Sequence, residues 1–243
     1  PSNTTDAATY NSLSHTLDLR IQACVANKIG EERCQAYGSG TSLVYKPVGL
    51  LQEYGTPQGG STSSRAEFGL ITGSYDQNLK AGALRKNIRD LSDEIHPTTG
   101  QFCFSSGVSC PTSTLPDGRS YTSSGMIDAL NSIVLYGKTS GGYTDTSTWL
   151  PSGVVNGKAN AWGNPVGEMV VQALQYYANL TSTNPTTTTK DTSVGMPVAT
   201  WSDPMSDSNA VRLTGYGKSV CRPLSVLAVS SSALSFDGDD ADT

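Results

Sequence analysis

Cysteine spacing constrains the fold of this chain more than any other feature. Cys24 and Cys34 lie ten residues apart and Cys103 and Cys110 seven apart, each pair enclosing a polar loop. Neither spacing is the C-x-x-C of a redox or zinc site, and the two histidines, His15 and His96, do not cluster with them. Two local disulfides, Cys24–Cys34 and Cys103–Cys110, formed in an oxidising compartment are the simplest reading; four reduced cysteines in a cytosolic protein are the alternative. Loops this short restrict the unfolded chain by on the order of 2–3 kcal/mol each. Cys221 is left over, as a buried thiol or as half of a pair whose other member lies elsewhere.

Composition points the same way. Of 243 residues, 36% are hydrophobic and only 15% charged, with Ser, Thr, Gly, Asn and Pro making up the difference. Such a loop-rich, hydroxyl-bearing chain is common among secreted bacterial proteins. The net charge of −5, without a basic run, excludes a nucleic-acid footprint. No run of 18 apolar residues is present, so no membrane-spanning helix is expected. The start at Pro1, with neither Met nor an apolar leader, reads as a mature or excised piece. The length suits one domain over 1–243, with an irregular stretch at 1–16, a threonine-rich exposed loop at 181–194 and an acidic tail at 237–243.

Periodicity supplies the elements. Leu17 to Val25 alternates apolar and polar positions, as a half-buried strand does. Leu43–Pro47 is a short strand-like stretch, a Gly/Ser/Thr-rich loop follows at 56–64, and Phe68 to Gly73 suits a buried strand. Leu84, Ile88, Leu91 and Ile95 fit either a helical stripe or the return arm of a hairpin, and the turn region around Asn78 and Gly82 favours the hairpin. A helix starts at Ser124, with Met126, Ile127, Leu130, Ile133 and Val134 on its apolar face. A second has Asn164 as its cap, Pro165 at the first helical position and Glu168 in the first turn; Val166, Met169, Val170, Ala173, Tyr177 and Leu180 then recur at helical spacing. This helix, 165–180, is expected to pack on a sheet containing Phe68–Thr72 and an apolar strand from Leu224 to Val229. Strands and helices mixed in this order imply an α/β layered domain.

Catalytic signatures are sparse. A serine nucleophile needs a base in reach, and His15 lies in the irregular N-terminus while His96 precedes Pro97 in a surface turn. No G-x-S-x-G elbow is present. Asp93 and Glu94 are adjacent, so they read as a solvated turn and not as a facing acid/base pair. Gly215-Tyr-Gly217-Lys218-Ser219 lacks the glycine spacing of a phosphate loop. Asp237, Asp239, Asp240 and Asp242 offer hard oxygen ligands, but the twelve-residue calcium loop around them is missing, so a disordered acidic tail is expected. No enzyme activity, cofactor or metal is expected.

Several stretches together resemble the PilY family of type IV pilus tip-associated adhesins and pilus-biogenesis proteins. They include Leu19-Arg-Ile-Gln-Ala-Cys24, Val44-Tyr-Lys-Pro-Val-Gly49, Phe68-Gly-Leu-Ile-Thr-Gly-Ser-Tyr75, Gly82-Ala-Leu-Arg-Lys-Asn-Ile88, Trp162-Gly-Asn-Pro-Val-Gly-Glu-Met169, Met196-Pro-Val-Ala-Thr-Trp-Ser-Asp-Pro204 and Cys221-Arg-Pro. They run in one order from about residue 17 to residue 240. The resemblance implies part of an N-terminal region related to the von Willebrand factor A domain, a Rossmann-like layered fold here degenerate or partial, with long Ser/Thr/Gly-rich loops. It implies a non-catalytic module displayed at the pilus tip, outside the cell, in adhesion or pilus biogenesis. Its partners would be minor pilus subunits, a host or abiotic surface, or further segments of the same protein. A structural subunit of an extracellular filament, without specific adhesion, is the alternative.

The family's A-type domain can carry a metal-ion-dependent adhesion site made from D-x-S-x-S, a Thr and an Asp. Asp145-Thr-Ser147 and Asp191-Thr-Ser193 are near misses out of place, Asn164 stands where the Thr would be, and Ser231 stands where the strand-terminal Asp would be. These neutral oxygens do not supply the carboxylate that a divalent ion needs to offset its dehydration.

Overall fold

A computed structural model describes residues 21–58, 61, 63–139, 142–143, 157, 163–205, 223–231 and 233–238. The chain is mixed α/β, with three antiparallel two-stranded ribbons among the described residues. Strand β1 (Cys34–Tyr37) pairs with β2 (Val44–Pro47), from Cys34 opposite Pro47 to Tyr37 opposite Val44. A 3-10 turn, Gly40–Ser42, joins them, and helix α1 (Leu50–Gly55) follows. Strand β3 (Phe68–Thr72) then pairs with β4 (Ala83–Arg89), with register irregularities on both sides of Leu70. The third ribbon joins β5 (Lys138–Thr139) to β6 (Gly142–Tyr143). Parallel pairing needs a crossover between strands, and no described pair is parallel, so the layered Rossmann-like sheet is not represented among these residues.

The β3–β4 ribbon is the hairpin favoured for residues 84–95. Leu84 is buried within β4, whereas Leu91 and Ile95 are buried just past it; Ile95 forms an isolated bridge to Phe102. Two expected strands are not seen among the described residues. Residues 17–20 lie outside the described residues, and Ile21–Val25 are not in a strand. Cys24 takes a left-handed backbone (φ 58°) and donates its N–H to Glu32 Oε2 at 2.5 Å, which breaks extended geometry at that point. Leu224–Val229 has no sheet partner, and Leu227 and Val229 are 88% and 84% exposed. Period-two apolarity marks a strand only when another strand satisfies its backbone.

Helices also depart from expectation in which side they bury. Helix α2 is short, Met126–Asn131, and begins after Gly125. Met126 and Ala129 are buried, while Leu130, Ile133 and Val134 of the proposed apolar face are exposed. Helix α3 spans Val166–Tyr177 with Pro165 as its boundary residue, one position later than read from Asn164, and it packs against β3. Its buried positions are Glu168, Gln172 and Tyr176, a polar i, i+4, i+8 stripe. Val166, Met169, Val170, Ala173 and Tyr177 are only half-buried, and Leu180 is exposed. The cause is the neighbour: Ala81 N–H donates to Glu168 Oε2 (2.7 Å), Gln172 Nε2 donates to Gly82 O (2.9 Å) and Ile88 N–H donates to Tyr176 Oη (3.1 Å). Backbone groups facing a helix need polar partners, and an apolar stripe supplies none. Helix α4 (Thr189–Ser193) forms inside the segment expected to be an exposed loop, and Asp191 within it is fully buried.

Candidate functional site

Successive side chains on a strand point to opposite faces, and β4 uses this to bury two adjacent cations, Arg85 and Lys86. On one face, Arg85 donates from Nη2 to Asp191 Oδ2 (3.1 Å) and Gly73 O (2.8 Å), from Nε to Thr72 Oγ1 (2.8 Å) and from Nη1 to Pro197 O (3.0 Å). Asp191 also accepts from Ser74 Oγ and from the N–H of Tyr75, both at 2.8 Å. The Asp191-Thr-Ser193 near miss is therefore an internal counter-ion already saturated with donors.

On the other face, Lys86 Nζ bridges Asp93 Oδ1 (2.8 Å) and Glu94 Oε1. This corrects the reading of Asp93 and Glu94 as a solvated turn: both are buried, on the 3-10 turn Ser92–Glu94. A run rich in acidic residues reads as solvated unless a cation reaches it, and the long lysine stem brings one in from β4. Burial pushes the Asp93 carboxyl above its usual range, Lys86 opposes that shift, and Glu94 adds to it.

Carboxylates from distant parts of the chain also close three helix N-termini. Gly125, Pro165 and Thr188, the boundary residues of α2, α3 and α4, make no side-chain cap bond. Instead, Ile127 N–H donates to Glu94 Oε2 (2.9 Å). Gly167 and Glu168 donate to Asp237 Oδ1 (2.5 and 3.2 Å), and Lys190 and Asp191 donate to Asp76 Oδ2 (3.0 and 3.1 Å). These are the second and third helical positions, where capping oxygens act and the helix dipole favours negative charge. Two glycines make room. A Cβ on Gly125 would overlap the Glu94 carboxylate, and one on Gly167 would come within 2.7 Å of both Asp237 oxygens.

The other residues singled out in sequence sort as follows. Cys24–Cys34 and Cys103–Cys110 are bonded pairs, with Cα separations of 5.8 and 5.2 Å. Glu32 lies against the first pair, but sulfurs shared in a disulfide are not thiolate ligands for a metal. His96 is half-buried and its Nδ1 accepts the Thr98 N–H (3.2 Å), a local turn contact. Asn164 and the Ser231 region do meet: Asn164 Nδ2 donates to Ser230 Oγ (2.9 Å) and Ala233 O (3.0 Å), and its backbone bridges Ser235. Ser231 itself is exposed. The acidic tail is ordered at its start, where Asp237 is the α3 cap. His15, Asp145, Ser147, Gly215–Ser219, Cys221, Asp239, Asp240 and Asp242 lie outside the described residues.

Sequence reasoning missed a cleft of about 620 Å³ on the α3 surface, between that helix, the turn at Lys80–Ala81 and the stretch 180–183. Gln172 and Thr183 line it, and the buried atoms Gln172 Oε1 and Thr183 Oγ1 have no hydrogen-bond partner. The only trace in sequence is the polar i, i+4, i+8 series on an otherwise amphipathic helix.

Comparison with known proteins places this arrangement in context. The family description "PilY1 homolog, second domain" matches residues 68–243. A curated relative from Xylella fastidiosa (strain Temecula1 / ATCC 700964), named type IV pilus biogenesis factor PilY1 homolog, is 34% identical over 169 residues, covering 69% of this chain and 10% of that protein. The chain thus spans about a tenth of that relative's length. No solved structure matches.

Proposed function

The chain belongs to the PilY1 homolog family, matching its second domain, and from that premise we propose that it is a non-catalytic module of an exported type IV pilus protein, serving pilus biogenesis. The observation that carries the reading is the match over residues 68–243, because it covers the β3–β4 hairpin, both buried cations and all three remote caps. The chemistry is consistent with a scaffold. Arg85, Lys86, Asp93, Glu94 and Asp191 hold one another, which suits fixing a fold more than turning over a substrate. The two disulfides suit an oxidising compartment, and no helix among the described residues is long and apolar enough to cross a membrane. The partners in this reading are minor pilus subunits or other parts of the same protein. An A-like layered sheet is not represented among the described residues, whose strand pairs are all antiparallel.

Adhesion to a host or abiotic surface is a second reading, favoured by the open cleft beside α3. An in-frame deletion of the stretch matching residues 68–238, made in the full-length gene, separates the two. Loss of surface pili and twitching, with the protein still exported, supports biogenesis. Normal pili with lost adherence supports adhesion. Normal pili and normal adherence would sink both.

A further inference from the structure

We propose that Leu224–Val229 is an open strand edge at which two copies of this chain pair, antiparallel about a two-fold axis. Residues 223–230 run without turn or bend, and none takes a left-handed backbone. Exposure alternates as on a strand: Leu224 and Val226 are 41% and 43% exposed, Leu227 and Val229 88% and 84%. The stretch is held from both ends. Tyr177 Oη donates to Ser225 O (2.8 Å), and Asn164 Nδ2 donates to Ser230 Oγ (2.9 Å) and Ala233 O (3.0 Å). Yet among the described residues no N–H from Leu224 to Val229 donates to the protein, and Ser225 alone of these residues has a carbonyl that accepts from it. A backbone row that is fixed, unpaired and apolar is the surface to which another strand adds.

The tyrosine contact sets the register. On a strand the N–H and C=O of one residue point to the same side, and those of the next residue to the other. Tyr177 occupies the side of Ser225, so Leu224, Val226 and Ala228 present their backbone groups outward. Two such edges are self-complementary, with Val226 opposite Val226 and Leu224 opposite Ala228, as a two-fold interface requires. Leu227 of each copy then lies diagonally across from Leu227 of the other, within reach of long side chains. Charge favours a second copy as the occupant. Pro223 to Phe236 holds no acidic, basic or histidine residue, so copies of a chain with net charge −5 meet there without opposing like charges. The lysines and inward-pointing charges that blunt natural edges are missing from this one. Antiparallel pairing also directs the two Asp237 ends apart, whereas a parallel pair sets them side by side.

The inference rests on this edge alone and holds whichever pilus role is correct. A ladder this short buries less surface than a stable complex does, so a dissociation constant on the order of 0.1 mM is expected. Sedimentation equilibrium of the full chain from about 10 µM to about 1 mM should show monomer passing to dimer. Val226→Pro, which removes an outward N–H, is expected to abolish the dimer, and Leu227→Ser to weaken it roughly tenfold. Both should keep the melting temperature of the dilute monomer, since neither residue pairs within the chain. Register is read by cross-linking in a Cys221→Ser background. Val226→Cys is expected to form a disulfide dimer under mild oxidation, because a hydrogen-bonded antiparallel pair sets its Cα atoms about 5.5 Å apart. Ser231→Cys, beyond the ladder, should not. A chain that stays monomeric at about 1 mM overturns the proposal and leaves the edge to a strand of another protein. A dimer indifferent to both substitutions, or one that cross-links through position 231 in preference to 226, overturns it as well. The pilus role would still be judged by the deletion above.

Discussion

The two faces of β4 solve one problem in different ways. Each buries a cation, but Lys86 finds its carboxylates, Asp93 and Glu94, seven and eight residues ahead in the same supersecondary unit. Arg85 waits for Asp191, 106 residues later. The lysine face can assemble as soon as the hairpin and the following turn form. The arginine face is complete only once α4 has docked. One face tests local folding, the other tests whether the far end of the domain has arrived.

The largest expected effect is on the arginine face. Asp191→Ala leaves a fully buried guanidinium without its counter-ion and takes a partner from Ser74 and Tyr75, so a loss of about 3–5 kcal/mol is expected in urea unfolding. Glu94→Ala should cost less than this, because Asp93 still pairs with Lys86, although α2 loses its cap. If Glu94→Ala proves the more damaging, the local face is the one that holds the domain together.

A smaller effect isolates capping from charge burial. Asp237→Ala removes the oxygen that accepts from Gly167 and Glu168, and about 1 kcal/mol of stability should go with it, as for other N-caps. Asp237→Asn, which keeps an acceptor, should recover most of that. An unchanged melting temperature in Asp237→Ala would mean that the tail contributes nothing to α3.

The lysine face carries its own pH signature. Burial raises the folded-state pKa of Asp93 above the ordinary 3.8, so the folded protein prefers the protonated form. The stability this gives is fully present below 3.8 and is lost as pH rises through the elevated value. Asp93→Asn stays neutral throughout, so wild-type stability should fall relative to the variant as pH climbs from 3.8. Denaturant titrations at a series of pH values check the sign. A wild type that instead gains on the variant over that range would show that Lys86 outweighs desolvation.

The smallest expected effect is at Leu227. It is almost wholly exposed and outside any sheet, so Leu227→Ser should change stability by under about 0.5 kcal/mol. A cost of several times that would reveal a strand partner for Leu224–Val229.

Signals confined to one stretch of chain were legible in advance. The short cysteine spacings correspond to bonded pairs, the Pro165–Glu168 signature located α3 to within a residue, and the turn residues around Asn78 and Gly82 turned an ambiguous stripe into a hairpin. Each involves residues close enough in sequence that loop closure and helix geometry decide the outcome before the rest of the chain matters. What stayed hidden depends on partners remote in sequence. Nothing near Gly125, Pro165 or Thr188 announces that Glu94, Asp237 and Asp76 will cap those helices, and nothing near Asp191 announces Arg85. Residue pattern determined where α3 would form. Tertiary structure decided that it would bury Glu168, Gln172 and Tyr176 instead of its apolar stripe, because the backbone of the Ala81–Gly82 turn and β4 had to be satisfied by hydrogen bonds.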